Sequence, residues 1–152
     1  MELYQHKVHS CETDKMKLYQ HKVHYYETDK MGIVHHSNYI RWMEEARIFF
    51  LDQVGWSFKK LEEMGVVSPV TAVECKYKVS TFFDEIISIS VWVEEFKGVR
   101  LKLGYAMKKE DGTLACEGFS EHCFMNLDGK LISLKREYPE LFQCLASLAE
   151  KN

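Results

Sequence analysis

Asp29 and His36 stand seven residues apart, with Gly32 between them and an apolar helical segment behind them. Thr28 to Gly32 reads as a strand end turning through a glycine, which tolerates φ > 0. His35-His36-Ser37-Asn38 reads as the polar entry to a helix, with Ser37 or Asn38 as N-cap. A helix N-terminus presents backbone N–H groups without intrahelical partners and a partial positive charge. Such groups polarise a carbonyl and stabilise an oxyanion. A carboxylate beside them can attack that carbonyl or activate a water. The segment therefore holds the parts of an acyl-transfer site, although an aspartate before a turn is also a common turn-forming residue.

The elements that must position these groups are legible from periodicity. Met43, Ala46, Phe50 and Val54 mark a helix from about residue 37 to 54, stopped by Gly55, with Glu45, Arg47 and Asp52 expected on its polar side. Residues 57–64 suggest a short second helix. Beyond it, alternation predicts half-buried antiparallel strands: Thr71 to Val79, Ile87 to Val93, Val99 to Met107, and a long one from Thr113 to Met125. Lys97-Gly98, Asp111-Gly112 and Asp128-Gly129 supply turns. Pro139 opens a last helix carrying Leu141, Leu145 and Leu148. One strand, a long helix and then a run of antiparallel strands is an α+β plan.

The chain has 152 residues, 46% hydrophobic and 28% charged, enough for one domain with a modest core. A net charge of −3 without a long basic block argues against nucleic acid. The polar N-terminus is no signal peptide, and the apolar runs are short of a membrane span. Five cysteines, odd in number and without CxxC spacing, fit reduced thiols and a cytoplasmic location. The sequence from Leu3 to Lys17 recurs from Leu18 to Gly32 with three differences, one being Lys17 in place of Gly32. Only the second copy runs into the helix, so residues 1–17 read as a non-catalytic duplicate that could compete for one sheet position, and 18–152 as the domain. His21 and His24, three apart on a strand, would point to opposite faces. No metal site is expected there, and nothing else has zinc-ligand spacing. His122 reads as a lone, structurally satisfied strand histidine.

Thr28-Asp29, Gly32-Ile33-Val34-His35-His36, Asn38-Tyr39 and Glu44, Ala46, Arg47 together resemble the hotdog-fold acyl-CoA thioesterases. The nearest branch is the 4-hydroxybenzoyl-CoA thioesterase family with its Tol–Pal-cluster-type relatives. The resemblance runs from about Leu18 to the C-terminus. It implies an antiparallel sheet wrapped around a long central helix. It implies hydrolysis of an acyl-CoA to free acid and CoA, with Asp29 as nucleophile or general base and the backbone N–H at His36 on the thioester carbonyl. Gly32 would shape the turn. His35, Asn38 and Tyr39 would set the helix entry beside substrate; for the CoA phosphates Lys76, Lys78, Arg100, Lys102, Lys135 and Arg136 are available near strand ends, with Arg100 and Lys102 favoured. Phe49, Phe50, Trp56 and Phe58 are near enough in sequence to border an acyl pocket. No cofactor is implied, CoA being part of the substrate, and a homodimer or homotetramer is expected. The alternatives are a non-catalytic binder of acyl-CoA or acyl carrier protein, and a hotdog hydratase or dehydratase, whose His-centred motif is missing. The family's Pro and Gly before Asp84 are also missing, in the loop Ser80 to Asp84.

Overall fold

A computed structural model describes residues 16–150. The chain begins with β1 (Tyr19–Lys22), a 3-10 turn (Tyr25–Glu27) and the long helix α1 (Ser37–Gln53). A short helix α2 (Phe58–Glu63) leads to β2 (Val70–Tyr77), β3 (Ile86–Phe96), β4 (Arg100–Lys108) and β5 (Leu114–Cys123). Two helices, α3 (Leu134–Glu137) and α4 (Pro139–Glu150), close the described chain. Copy one of the repeat, and with it any competition between the copies, lies outside the described residues except for its last positions.

The five strands form one antiparallel sheet in the order β1-β3-β4-β5-β2. The three glycine turns fall where the sequence puts them, between β3 and β4, between β4 and β5, and after β5. Helix α1 lies against the sheet because its apolar residues recur at helical spacing. Tyr39, Trp42, Met43, Ala46 and Phe50 are buried with Ile87, Ile89, Leu103, Tyr105 and Met107 of the strands. Gly118 on β5 permits the close approach of β2: a Cβ there would stand 2.0 Å from the Glu74 carbonyl oxygen. Helix α4 packs on β3 through Leu141, Leu145 and Leu148.

Arg47 departs from the expected pattern. It is buried, not on the polar side of α1. Its guanidinium donates to the Tyr105 hydroxyl (3.1 Å), and from there hydrogen bonds continue to Ser120 (2.6 Å) and His122 (2.8 Å). His122 is thus satisfied structure, as its lone position on a strand suggests. Burial, then the nearby Arg47 charge, lowers its pKa to about 4. No helix among the described residues is long and apolar enough to cross a membrane.

Candidate active site

The site is assembled by the stretch between β1 and α1. After Lys22 the chain leaves the sheet, buries Val23 and turns through Tyr25–Glu27. The Glu27 carboxylate is buried and accepts hydrogen bonds from the His24 backbone N–H and the Trp42 indole, both at 2.7 Å. His21 Nε2 lies 2.8 Å from it. Burial alone would raise its pKa; the bonds from His24, Trp42 and His21 outweigh that and hold it below the usual carboxylate value. The Glu27 backbone carbonyl accepts from the His35 N–H (2.9 Å) and the Asn38 side-chain amide (2.8 Å). One buried glutamate therefore ties the sheet edge to the helix entry.

Between these anchors the chain makes a tight turn. Asp29 N–H donates to the Ile33 carbonyl (2.8 Å) and Gly32 N–H to the Asp29 carbonyl (2.9 Å). Gly32 holds φ at +82°, a conformation that costs an L side chain about 1–2 kcal/mol. Asp29 Oδ1 accepts from the Met31 N–H at 2.8 Å. The carboxylate's second oxygen has no hydrogen-bond partner among the described residues and is free to act on a substrate or water.

Neither Ser37 nor Asn38 caps α1. His36 is the N-cap, with helical φ and ψ and no capping bond from its side chain. The Ser37 hydroxyl is engaged by His35 Nδ1 (2.8 Å), and the Asn38 amide by Glu27. The His36 N–H has no acceptor among the described residues, so the helix entry presents it as an unpaired donor. Its carbonyl is held by the Tyr77 hydroxyl at 3.0 Å. Asp29, His36, Tyr39, Tyr77, Lys78 and Val79 line one open cleft of about 290 Å³. The Tyr77 ring meets Tyr39 edge-on at 5.1 Å. Burial, with the neighbouring Cys75 adding to it, pushes the Tyr77 phenol up to about 12, so it stays a neutral donor. Tyr39 is anchored by its hydroxyl on Thr81 (2.6 Å). A carboxylate with a free oxygen, an unpaired N–H and one lysine thus share a surface that a carbonyl could enter.

The sequence profile of the thioesterase-like superfamily matches residues 23–143, most of the chain. The chain belongs to this superfamily. Its sheet around α1 is the hotdog arrangement, and the family's chemistry is thioester hydrolysis. A Bacillus subtilis protein named "Putative acyl-CoA thioesterase YneP" is 32% identical over 106 residues, 69% of this chain and 77% of that one. A DHNA-CoA thioesterase structure from Staphylococcus aureus is 32% identical, with a TM-score of 0.84 over 88% of this chain and 91% of that chain. A gentisyl-coenzyme A thioesterase structure is 25% identical, with a TM-score of 0.74 over 79% of this chain and 97% of that chain.

In this member of the superfamily the residues picked out from sequence divide into three groups. Asp29, His36 and Tyr39 line the cleft, and Gly32 shapes it from the turn. His35 and Asn38 do not line it; their polar atoms build the helix entry. Arg100 and Lys102 are not brought to it within this chain. They begin β4 at the opposite end of the sheet, beside Glu95 and Glu121. The cleft lies at the end where Lys108 finishes β4, roughly 20–25 Å away at about 3.3 Å per residue. Lys78 is the cation at the cleft. Phe49, Phe50 and Trp56 do not line the cleft. Phe58 lines a separate apolar groove with Leu61, Val66, Val67, Pro69 and Met125 at the start of β2. Glu27 and Tyr77 were missed. A carboxylate inside a strand-like run beside Trp-bearing helix residues was the available signal for Glu27; for Tyr77, periodicity shows a strand but not which end of it meets α1.

Proposed function

We propose that this chain hydrolyses an acyl-CoA thioester to the free acid and CoA, with Asp29 acting on a carbonyl held by the helix entry. The observation that carries the reading is that Asp29, with one carboxylate oxygen unengaged, and His36, at the entry of α1, line one cleft. The thioester oxygen accepts from the His36 N–H, where the partial positive charge of α1 stabilises the oxyanion as it forms. Asp29 either attacks the carbonyl carbon, giving a mixed anhydride that water then cleaves, or takes a proton from water as that water attacks. Both routes expel CoA as the thiolate and consume one water. Lys78 supplies positive charge for an anionic part of the substrate. The DHNA-CoA and gentisyl-CoA activities of the two structural relatives support a CoA ester as substrate.

A homodimer fits the same reading. Strand β2 is an edge of the sheet, with Val70, Val73 and Tyr77 each more than a third exposed. An exposed edge of eight residues is a template for a second strand. Pairing there puts the partner beside Tyr77 and walls the open side of the cleft.

The test is thiol release from aliphatic and aromatic acyl-CoAs by the native protein and Asp29→Asn. Asn keeps the turn-forming oxygen, so the fold should persist while turnover falls about 10²–10⁴-fold. Equal turnover by the variant would sink Asp29. Binding of acyl-CoA without turnover by the native protein would identify a binder. After a single turnover in ¹⁸O-water, label in Asp29 marks nucleophilic attack; label only in the released acid is left both by general base catalysis and by an anhydride opened at the substrate carbon, and trapping an acyl-Asp29 adduct with hydroxylamine or borohydride separates these two.

A further inference from the structure

We propose that His21, His24 and Glu27 form a binding site for a borderline divalent cation of the zinc type, outside the cleft. On a straight strand these histidines would diverge. The structure corrects that expectation, because β1 ends at Lys22 and the chain bends into the 3-10 turn. The two rings come to 5.3 Å, edge to face, and a ligand atom from each histidine and from Glu27 all lie within 4.8 Å of one another. Two imidazole nitrogens and one carboxylate oxygen suit zinc, cobalt, nickel or iron(II), and suit magnesium and calcium poorly.

The supporting groups are those a metal site needs. Metal-bound imidazoles characteristically place a carboxylate or carbonyl on their second nitrogen. His21 Nδ1 faces Glu45 Oε2 at 3.4 Å, and that oxygen is itself held by the Tyr19 hydroxyl at 2.8 Å. The Glu27 carboxylate is oriented by the Trp42 indole and the His24 N–H. His21 Nε2 and Glu27 Oε1 share a hydrogen bond at 2.8 Å. Ligands about 2.0–2.1 Å from a tetrahedral zinc sit roughly 3.3 Å apart, so a cation replacing the shared proton needs them to part by about half an ångström. His24 is exposed and closes the site from outside, leaving a coordination position for water. Because the Glu27 carbonyl anchors His35 and Asn38, a bound cation clamps the residue on which the helix entry hangs.

The experiment uses the full chain without an affinity tag, stripped with a chelator and titrated with Zn²⁺ and Co²⁺ by calorimetry, Co²⁺ absorption and thermal unfolding. The same residue types recur as His6, His9 and Glu12 in the other copy of the repeat, so His24→Ala is compared with His9→Ala. Zinc should raise the melting temperature of the native protein and of His9→Ala. His24→Ala, folded as well as native in chelator, should bind at least about tenfold more weakly and lose the rise. No binding of either metal, or binding that His24→Ala leaves intact and His9→Ala abolishes, would overturn the site.

Discussion

Two polar regions flank the same helix, and they are opposites. Near the start of α1, Asp29 and His36 meet solvent in an open cleft, and each keeps a polar atom unpaired. Further along α1, Arg47, Tyr105, Ser120 and His122 are buried, and every link is made. The direction of that buried chain follows from its ends. A guanidinium can only donate, and the Ser68 carbonyl, 3.3 Å from His122 Nδ1, can only accept. His122 is therefore neutral with its proton on Nδ1, Nε2 accepts from Ser120, and Ser120 accepts from Tyr105. From Tyr105 to Ser68 each link therefore has one donor and one acceptor, while of the Arg47 N–H groups only Nη1 takes part. The polar groups that folding leaves under-satisfied stand instead at the rim of the sheet, where the proposed site lies.

The largest effect that would break this contrast is in acid. Burial and the Arg47 charge lower the His122 pKa from its ordinary 6.5 to about 4. Between those values the unfolded chain binds a proton that the folded chain refuses, so stability is full above pH 6.5 and falls as pH drops toward 4. The loss is up to about 3 kcal/mol. A protonated Nε2 would also face the Ser120 hydroxyl with two donors and no acceptor. Denaturant unfolding from pH 7 to 4 should show this slope, and His122→Asn should flatten it. An unchanged slope would mean that the buried chain titrates no more than the surface does.

Next in size is Gly32→Ala. A Cβ at Gly32 meets nothing within 4 Å, so the cost is backbone strain alone, about 1–2 kcal/mol. The turn should relax by moving Asp29, lowering turnover more than stability, and Gly32→Asn should recover part of both because Asn tolerates positive φ. Unfolding curves and turnover on one acyl-CoA check this; equal losses in the Ala and Asn variants would count against it.

Much of this contrast was readable from the chain. The turn glycines, the span of α1 and the strands have local causes and fell where their patterns placed them, but β2, expected half-buried, leaves Thr71, Val73 and Tyr77 exposed because it is an edge of the sheet. The placement of Asp29 in a glycine turn just before the helix entry was legible because the three stood in sequence order. Arg47 was not, because its charge suggested solvent; its spacing of four from Met43 puts it on the buried stripe, where Tyr105 receives it. The convergence of His21 and His24 was hidden too. Nothing between Tyr19 and Tyr26 breaks a strand, and only the docking of Val23 and Glu27 ends it. Arg100 and Lys102 illustrate a third limit: alternation identifies β4 but is silent on which end of it lies beside Asp29.

The smallest effect sharpens the boundary between the regions. The Tyr77 hydroxyl is satisfied like the buried chain, yet it stands in the open cleft and holds the His36 carbonyl. If its role is to fix the peptide after the unpaired N–H, Tyr77→Phe removes one hydrogen bond worth about 0.5–1.5 kcal/mol. Turnover should then fall only several-fold, with KM nearly unchanged, because the bond steadies a donor used mainly when charge develops on the substrate oxygen. The ring contact with Tyr39 survives the substitution, so stability should barely move. A fall of a hundredfold would instead mean that the hydroxyl itself reaches the reacting atoms, and Tyr77 would join Asp29 as a catalytic group.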